Sequence, residues 1–302
     1  IFIFKITTTI MAFRSIEAVI APGNLHFVGD GFRVHGILGR EEPLTMKRMS
    51  PFLLMDYGPT HYFPPNNGAP RGVGSHPHRG IETVTIAYKG RVEHHDSSGG
   101  GGIIAEGDVQ WMTSGSGILH KEYHEKNFGK KGGEMQMVQL WVNLPAKDKM
   151  TTPKYQNLNK KNITTVQLEN NAGSVDIIAG DFEGSKGPAS TFTPLSLYNV
   201  HLNKGKGTSF SFTASHNTGL LITKGSATIN NIEKAPANHF VLFENDGKEF
   251  TIRADEDATI LILSGEPIDE PIASYGPFVM NTNAEIKQTI DDFNSGKFGY
   301  LD

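Results

Sequence analysis

The 302-residue chain contains no cysteine, so neither a disulfide nor a thiolate-bound metal can contribute to its fold or chemistry. That suits a cytoplasmic or nuclear protein, and the chain is read as one that is not secreted. No apolar run approaches the ~20 residues that carry a helix across a bilayer, so no membrane association is expected. An excess of one charge is also missing. Lys and Arg total 28 against 32 Asp and Glu, a net charge of −4, which supplies no electrostatic attraction towards nucleic acid. The glycine run 99–102 lacks the Gly-x-x-x-x-Gly-Lys pattern and no helix follows it. A phosphate-cradling loop is therefore excluded, and a mobile hairpin tip at a barrel mouth is expected instead.

What the chain does have is short apolar runs, at 81–88, 109–112, 137–142, 175–178, 220–222, 240–243 and 259–263, separated by Gly, Asn, Asp or Pro. Short strands with regular turn signals indicate an all-β sandwich or barrel. A weak internal repeat splits them into two units: TVTIAYKG at 83–90 resembles TGLLITKG at 218–225, and GDVQWM at 107–112 resembles NHFVLF at 238–243. The expected division is a first barrel over 11–145, a Pro-, Lys- and Asn-rich linker over 146–165, and a second barrel over 166–302. Residues 1–10, IFIFKITTTI, lack the features of a signal peptide and are read as a leader or non-native extension before Met11. One helix is predicted near the end. Thr282 and Glu285 form a capping box, Ile286, Ile290 and Phe293 recur on one face, and Gly296 stops it.

The histidines are unevenly spread: nine of 12 lie at or before His124. Among them, His76-Pro77-His78 and His120-Lys121-Glu122 each place two donors at positions i and i+2. In an extended chain such residues point to the same face, ~6.5–7 Å apart along the backbone. Two such pairs on adjacent strands bring three imidazoles and one carboxylate to one ion. That donor set suits Fe, Mn, Ni, Cu or Zn and leaves coordination positions for substrate, water or dioxygen. Pro77 stiffens the first pair.

With these motifs in view, GVGSHPHRGIETVTI (72–86), EGDVQWMTSGSGILHKE (106–122) and VQLWVNLP (138–145) resemble the pirin family of bicupins. The ending PIASYGPFVMNTNAEIKQTIDDFNSGKFG (271–299) is similar to that family's as well. The resemblance runs from about Met11 to the C-terminus. It implies two tandem cupin (jelly-roll) β-barrels with a short C-terminal helix, and a metal held by His76, His78, His120 and Glu122, usually iron, one per chain. The general cupin carboxylate would be Glu82; pirins draw theirs from the second motif, here Glu122. The repeat sets Ser211 and Thr213 opposite His76 and His78, and places the counterparts of His120 and Glu122 near Thr251 and Arg253, so no metal is expected in the second barrel.

Two functions follow from the resemblance. One is a dioxygenase that acts on a small planar aromatic substrate, a flavonol such as quercetin, with dioxygen as co-substrate. Glu122 would then take the substrate's hydroxyl proton. The other is a metal-containing nuclear cofactor that binds transcription factors and responds to redox state. A monomer is expected in either case. Among the remaining residues, Glu82 is a candidate fifth ligand, a partner behind the ligands or a plain strand residue, the last two being favoured over ligation. His94, His95 and Asp96, at a strand end, are candidates to orient the ligands or line the mouth; His94 and His95 point to opposite faces, so at most one meets the site, and a solvated pair is expected. Arg79 is a partner for Glu82, for a loop carboxylate, or for a surface acid. Phe52, Met55, Trp111, Met112 and Phe128 are candidates for an apolar pocket beside the metal.

Overall fold

The computed structural model describes residues 13–301; the proposed leader over 1–10 lies outside them. Two seven-stranded antiparallel sheets stand back to back. In spatial order the first contains Lys154–Leu158, Val109–Thr113, Ile81–Lys89, Gly133–Asn143, Phe52–Phe63, Phe32–Leu38 and Leu25–Val28. The second contains Ile16–Ile20, Phe240–Phe243, Asn217–Lys224, Ala258–Gly265, Leu195–Leu202, Gly173–Ala179 and Thr164–Leu168. A four-stranded sheet closes each into a barrel: Gly72–His78, Ile118–His124, Val92–Asp96 and Gly101–Ile104 on the first, and Gly207–Ser211, Glu249–Ala254, Ser226–Ile229 and Glu233–Pro236 on the second. The molecule is thus a pair of cupin barrels.

Both faces of each large sheet are buried, which explains why their strands read as nearly continuous apolar runs. Along Gly133–Asn143, Val138, Leu140 and Val142 join the core shared by the two barrels, where they meet Leu221, Phe240, Leu261 and Leu263. Met137, Gln139 and Trp141 alternate to the opposite face and line a cavity in the first barrel. The interior of the second barrel is filled by its own cluster, including Tyr198, Phe210, Phe243 and Phe250. The sequence repeat is real in space: Ile81–Lys89 and Asn217–Lys224 occupy the third position of their sheets, and the strands beside them carry the second pair of repeated motifs.

The strand pairings differ from the expected boundaries at three places. Ile16–Ile20 adds to the edge of the second barrel beside Phe240–Phe243. It is anchored there by the buried Arg14, which donates to the carbonyls of Gly247, His216, Thr213 and Ala214 at 2.7–3.0 Å. Within 146–165, read as a linker, Lys154–Leu158 is an edge strand of the first barrel, paired with Val109–Thr113. Burying an edge that would otherwise leave backbone groups unpaired outweighs the polar composition of this stretch.

The third difference is the tail. The helix Asn283–Asn294 has the expected capping box, but it packs on the first barrel. Arg79 donates to Asp292 at 2.8 Å and to the Ser116 carbonyl at 2.8 Å, and its guanidinium lies 4.7 Å from the Phe298 ring centre. The buried Lys149 ammonium ties the same region down, donating to Gly80 O, Asn143 Oδ1 and Val279 O at 2.8–2.9 Å. A six-residue helix, Lys126–Lys131, was not signalled by any periodicity; it is capped by Glu125.

Candidate metal centre

Strands Gly72–His78 and Ile118–His124 pair antiparallel with His120 opposite His76, so the two i, i+2 pairs face one another inside the first barrel. A bulge between His120 and Glu122 shifts the carboxylate along the strand. One ring nitrogen from each of His76, His78 and His120 lies within 4.8 Å of the others. His78, His120 and Glu122 are buried, and His76 keeps partial exposure.

The polar atoms here fit a metal ion. Buried polar groups are normally hydrogen-bonded, yet His78 Nδ1 and His120 Nε2 are buried without a partner. His76 Nδ1 lies 2.8 Å from the Gly74 carbonyl, which takes its proton and leaves Nε2 as the lone-pair nitrogen. Burial, with the neighbouring imidazoles, pushes His78 down to about 3 and His120 well below its ordinary value. Both rings are therefore neutral at physiological pH, each with a lone pair that a metal could take. Burial alone would raise Glu122, but the adjacent His94 and the Thr85 hydroxyl outweigh it and hold the carboxyl below its usual range. Glu122 Oε1 accepts from Thr85 Oγ1 at 3.2 Å and from the Gln110 amide.

His94, a candidate for orienting the ligands and expected to be solvated, lies at the site instead. It is fully buried and faces the ligands, whereas its neighbour His95 is exposed and pairs with Glu93 at 3.0 Å. His94, His120 and Glu122 form a second cluster of donors that overlaps the first. The His94 ring stacks on Tyr155, centres 5.0 Å apart and planes 20° apart. Tyr155 belongs to the stretch read as linker. The alternation rule correctly allowed one of the two histidines inward, but the depth of the barrel at that point is a tertiary property.

Glu82 lies on the other face of its sheet. Its strand neighbours Val84 and Ile86 enter the core between the barrels, while Thr85 faces Glu122. Glu82 accepts from Thr113 Oγ1 at 2.8 Å, and burial raises its pKa to about 7; it is no ligand. Arg79 pairs with Asp292, not with Glu82. The pocket candidates are corrected as well. Phe52, Met55 and Trp111 lie in the inter-barrel core, and Phe128 packs on the His124 ring, 5.2 Å between centres. Met112 is buried but lines no part of the cavity. The cavity above the ligands, about 220 Å³, is walled instead by Val28, Phe32, Leu54, Met137, Trp141 and Pro277. The glycine tip 99–102 is tied down: Asp96 Oδ1 accepts from Ser98 N, Ser98 Oγ and Gly100 N at 2.7–2.9 Å.

At the equivalent place in the second barrel, Gly207–Ser211 pairs with Glu249–Ala254, and Phe210 and Phe250 fill the interior. Among the described residues, clusters with metal-ligand potential occur in the first barrel alone.

Comparison with known proteins agrees with this arrangement. Residues 31–142 match the family model described as Pirin, and residues 197–299 match the Pirin C-terminal cupin domain. A Pseudomonas aeruginosa protein named "Putative quercetin 2,3-dioxygenase" is 45% identical over 94% of this chain and 98% of its own length. A pirin-like protein of Solanum lycopersicum is 36% identical over 90% of this chain and 89% of its own. A crystal structure described as quercetin 2,3-dioxygenase from Acinetobacter baumannii superposes with a TM-score of 0.91 at 43% identity, covering 96% of this chain and 100% of that one.

Proposed function

The chain belongs to the pirin family, and on that premise we propose that it is a metal-dependent dioxygenase acting on a flavonol such as quercetin, with one iron ion per chain. One observation carries the reading: His76, His78 and His120 bring one ring nitrogen each within 4.8 Å of one another, and an ionised Glu122 shares an overlapping donor cluster with His120, beside an apolar cavity that reaches them past the partly exposed His76. His76, His78, His120 and Glu122 would hold the ion. When bound, it supplies a Lewis acid for the substrate's hydroxyl oxygen and a redox partner for dioxygen.

The remaining work falls to the protein. Glu122, the one carboxylate in the donor set, accepts the hydroxyl proton, with Gln110 and Thr85 fixing its orientation. Trp141, Phe32, Leu54 and Met137 present apolar surface to planar rings and exclude water. A cavity of about 220 Å³ is smaller than the ~300–1,000 Å³ that encloses a whole drug-sized ligand. The hydroxy-ketone edge of the flavonol therefore enters, and the rest lies across the rim. The alternative, a redox-responsive cofactor for transcription factors, calls for a closed donor set beneath a charged face; the open apolar cavity supports the enzyme. The test is aerobic turnover by iron-loaded and metal-free protein, followed by flavonol absorbance and oxygen uptake. Equal consumption of flavonol and oxygen by the loaded form alone is expected. A fully loaded protein that consumes neither would refute the proposal.

A further inference from the structure

We propose that His94 and Asp96 are positioning residues that fix which nitrogen of His120 faces the metal, through a continuous relay Asp96–His94–His120. This rests on the metal-binding reading of the site given above.

The relay is read from hydrogen-bond directions. Asp96 is its outer end. One carboxylate oxygen is held by three donors at the hairpin tip, and the other faces His94 Nε2 at 3.4 Å. With Oδ1 already accepting from three donors, Oδ2 is the acceptor offered to the His94 ring. A His94 ring hydrogen on Nε2 faces this oxygen, and His94 Nδ1 faces His120 Nδ1, where only one of the two nitrogens can hold the shared hydrogen. The two nitrogens are 3.4 Å apart, and the hydrogen belongs on His120 Nδ1, because a hydrogen on His120 Nε2 instead would be a buried N–H with no acceptor; the Gln110 amide beside them directs its hydrogens to Glu122 and to Thr85 Oγ1 at 2.9 Å. The Gln110 amide is itself oriented, because its oxygen accepts from Tyr155 at 3.4 Å.

The consequence falls on His120. If His94 Nδ1 accepts, His120 Nδ1 must carry the hydrogen, and His120 Nε2 is left with the lone pair. That is the nitrogen buried without a partner in this structure. A metal-binding histidine usually donates its other ring N–H to an acceptor, which fixes its tautomer and raises its basicity. His76 obtains this from the Gly74 carbonyl, and His120 obtains it from a second histidine backed by a carboxylate. The local architecture serves the relay. Tyr155 stacks on the His94 ring and sets its plane. Gly100 lets the hairpin backbone reach Asp96, since a Cβ there would come within 2.3 Å of Asp96 Oδ2.

The experiment measures zinc(II) affinity of the full chain by competition with a chromophoric chelator, so no activity is needed. His94→Leu removes the acceptor, while His94→Gln retains an amide oxygen able to accept from His120. His94→Leu is expected to bind one zinc ion with roughly 10–100-fold weaker affinity, His94→Gln to recover most of the loss, and Asp96→Asn to fall between them. In the zinc-loaded parent, nitrogen-15 NMR should find His120 protonated at Nδ1. Calorimetry of the metal-free variants separates these effects from misfolding. Parental affinity in a folded His94→Leu protein, or equal losses for Leu and Gln, would overturn the relay. Loss of zinc at saturating metal would overturn it too, by making His94 a ligand. A parent chain that binds no zinc or iron would instead sink the metal site itself.

Discussion

In the proposed donor set Glu122 would bring the one negative charge beside three imidazoles, so Glu122→Gln tests ligation and chemistry together. Metal affinity should fall. With metal restored, flavonol turnover should drop by ~10²–10⁴-fold if the carboxylate is the base; turnover at the parental rate would remove that role. His78→Ala and His120→Ala should each lose the bound metal, while Ser211→Ala and Thr213→Val retain it, as elemental analysis of purified protein would record. Glu82 makes a pH prediction of its own. Its folded pKa of about 7 stands above its ordinary 4.5. Below pH 4.5 both folded and unfolded states are protonated and nothing is lost. As pH rises to 7 the unfolded state ionises first, so stability falls, levelling off at about 3 kcal/mol. Glu82→Gln should therefore match the parent near pH 4 and exceed it by up to that amount at pH 8 in chemical denaturation; the opposite trend would show the carboxyl to be ionised in the fold.

Among elements, the C-terminal helix shows how local and distant information divide. Its start, stop and apolar face follow from Thr282, Glu285, Ile286 and Gly296, all within one short segment. Its partner does not: Asp292 reaches Arg79, the residue after the candidate ligand His78, 213 positions earlier. Hydrogen bonds from Lys297, Arg79 and Gln288 hold the Asp292 carboxyl well below the usual range. A depressed folded pKa contributes stability that is complete above the ordinary carboxylate value and is lost as pH falls towards the folded one. Asp292→Asn should thus lower the melting temperature at pH 7, and the gap to the parent should close in strongly acidic buffer. Metal stoichiometry should be unchanged, because the substitution touches no donor. A gap that persists unchanged at low pH would assign it to packing instead.

The largest core is the one between the barrels, and this governs how the whole molecule unfolds. Neither barrel can melt without exposing apolar surface of the other, so calorimetry should show one cooperative transition, not two. Phe240→Ala, in the shared core, should cost about 3–5 kcal/mol and shift that transition without splitting it. Metal-free protein should also melt cooperatively, since a chain of this length buries roughly three quarters of its unfolded surface without a metal staple. Two resolved transitions in either experiment would mean that the barrels are independent.

The sequence by itself determined the class of fold, the capped helix and which donors share a strand face, because each rests on a short-range period. Strand alternation aligns His76 with His78 and His120 with Glu122, and a capping box spans four residues. Tertiary structure alone decided what depends on which strands become neighbours. It buried His94 beside His120, turned Glu82 to the far side of the sheet, and drew Tyr155 out of an expected linker to stack on the site. It also sent Ile16–Ile20 to the second barrel and the last helix to the first. These are contacts across tens to hundreds of residues, set by the pairing of sheet edges and the burial of apolar faces. No local pattern in one chain encodes them.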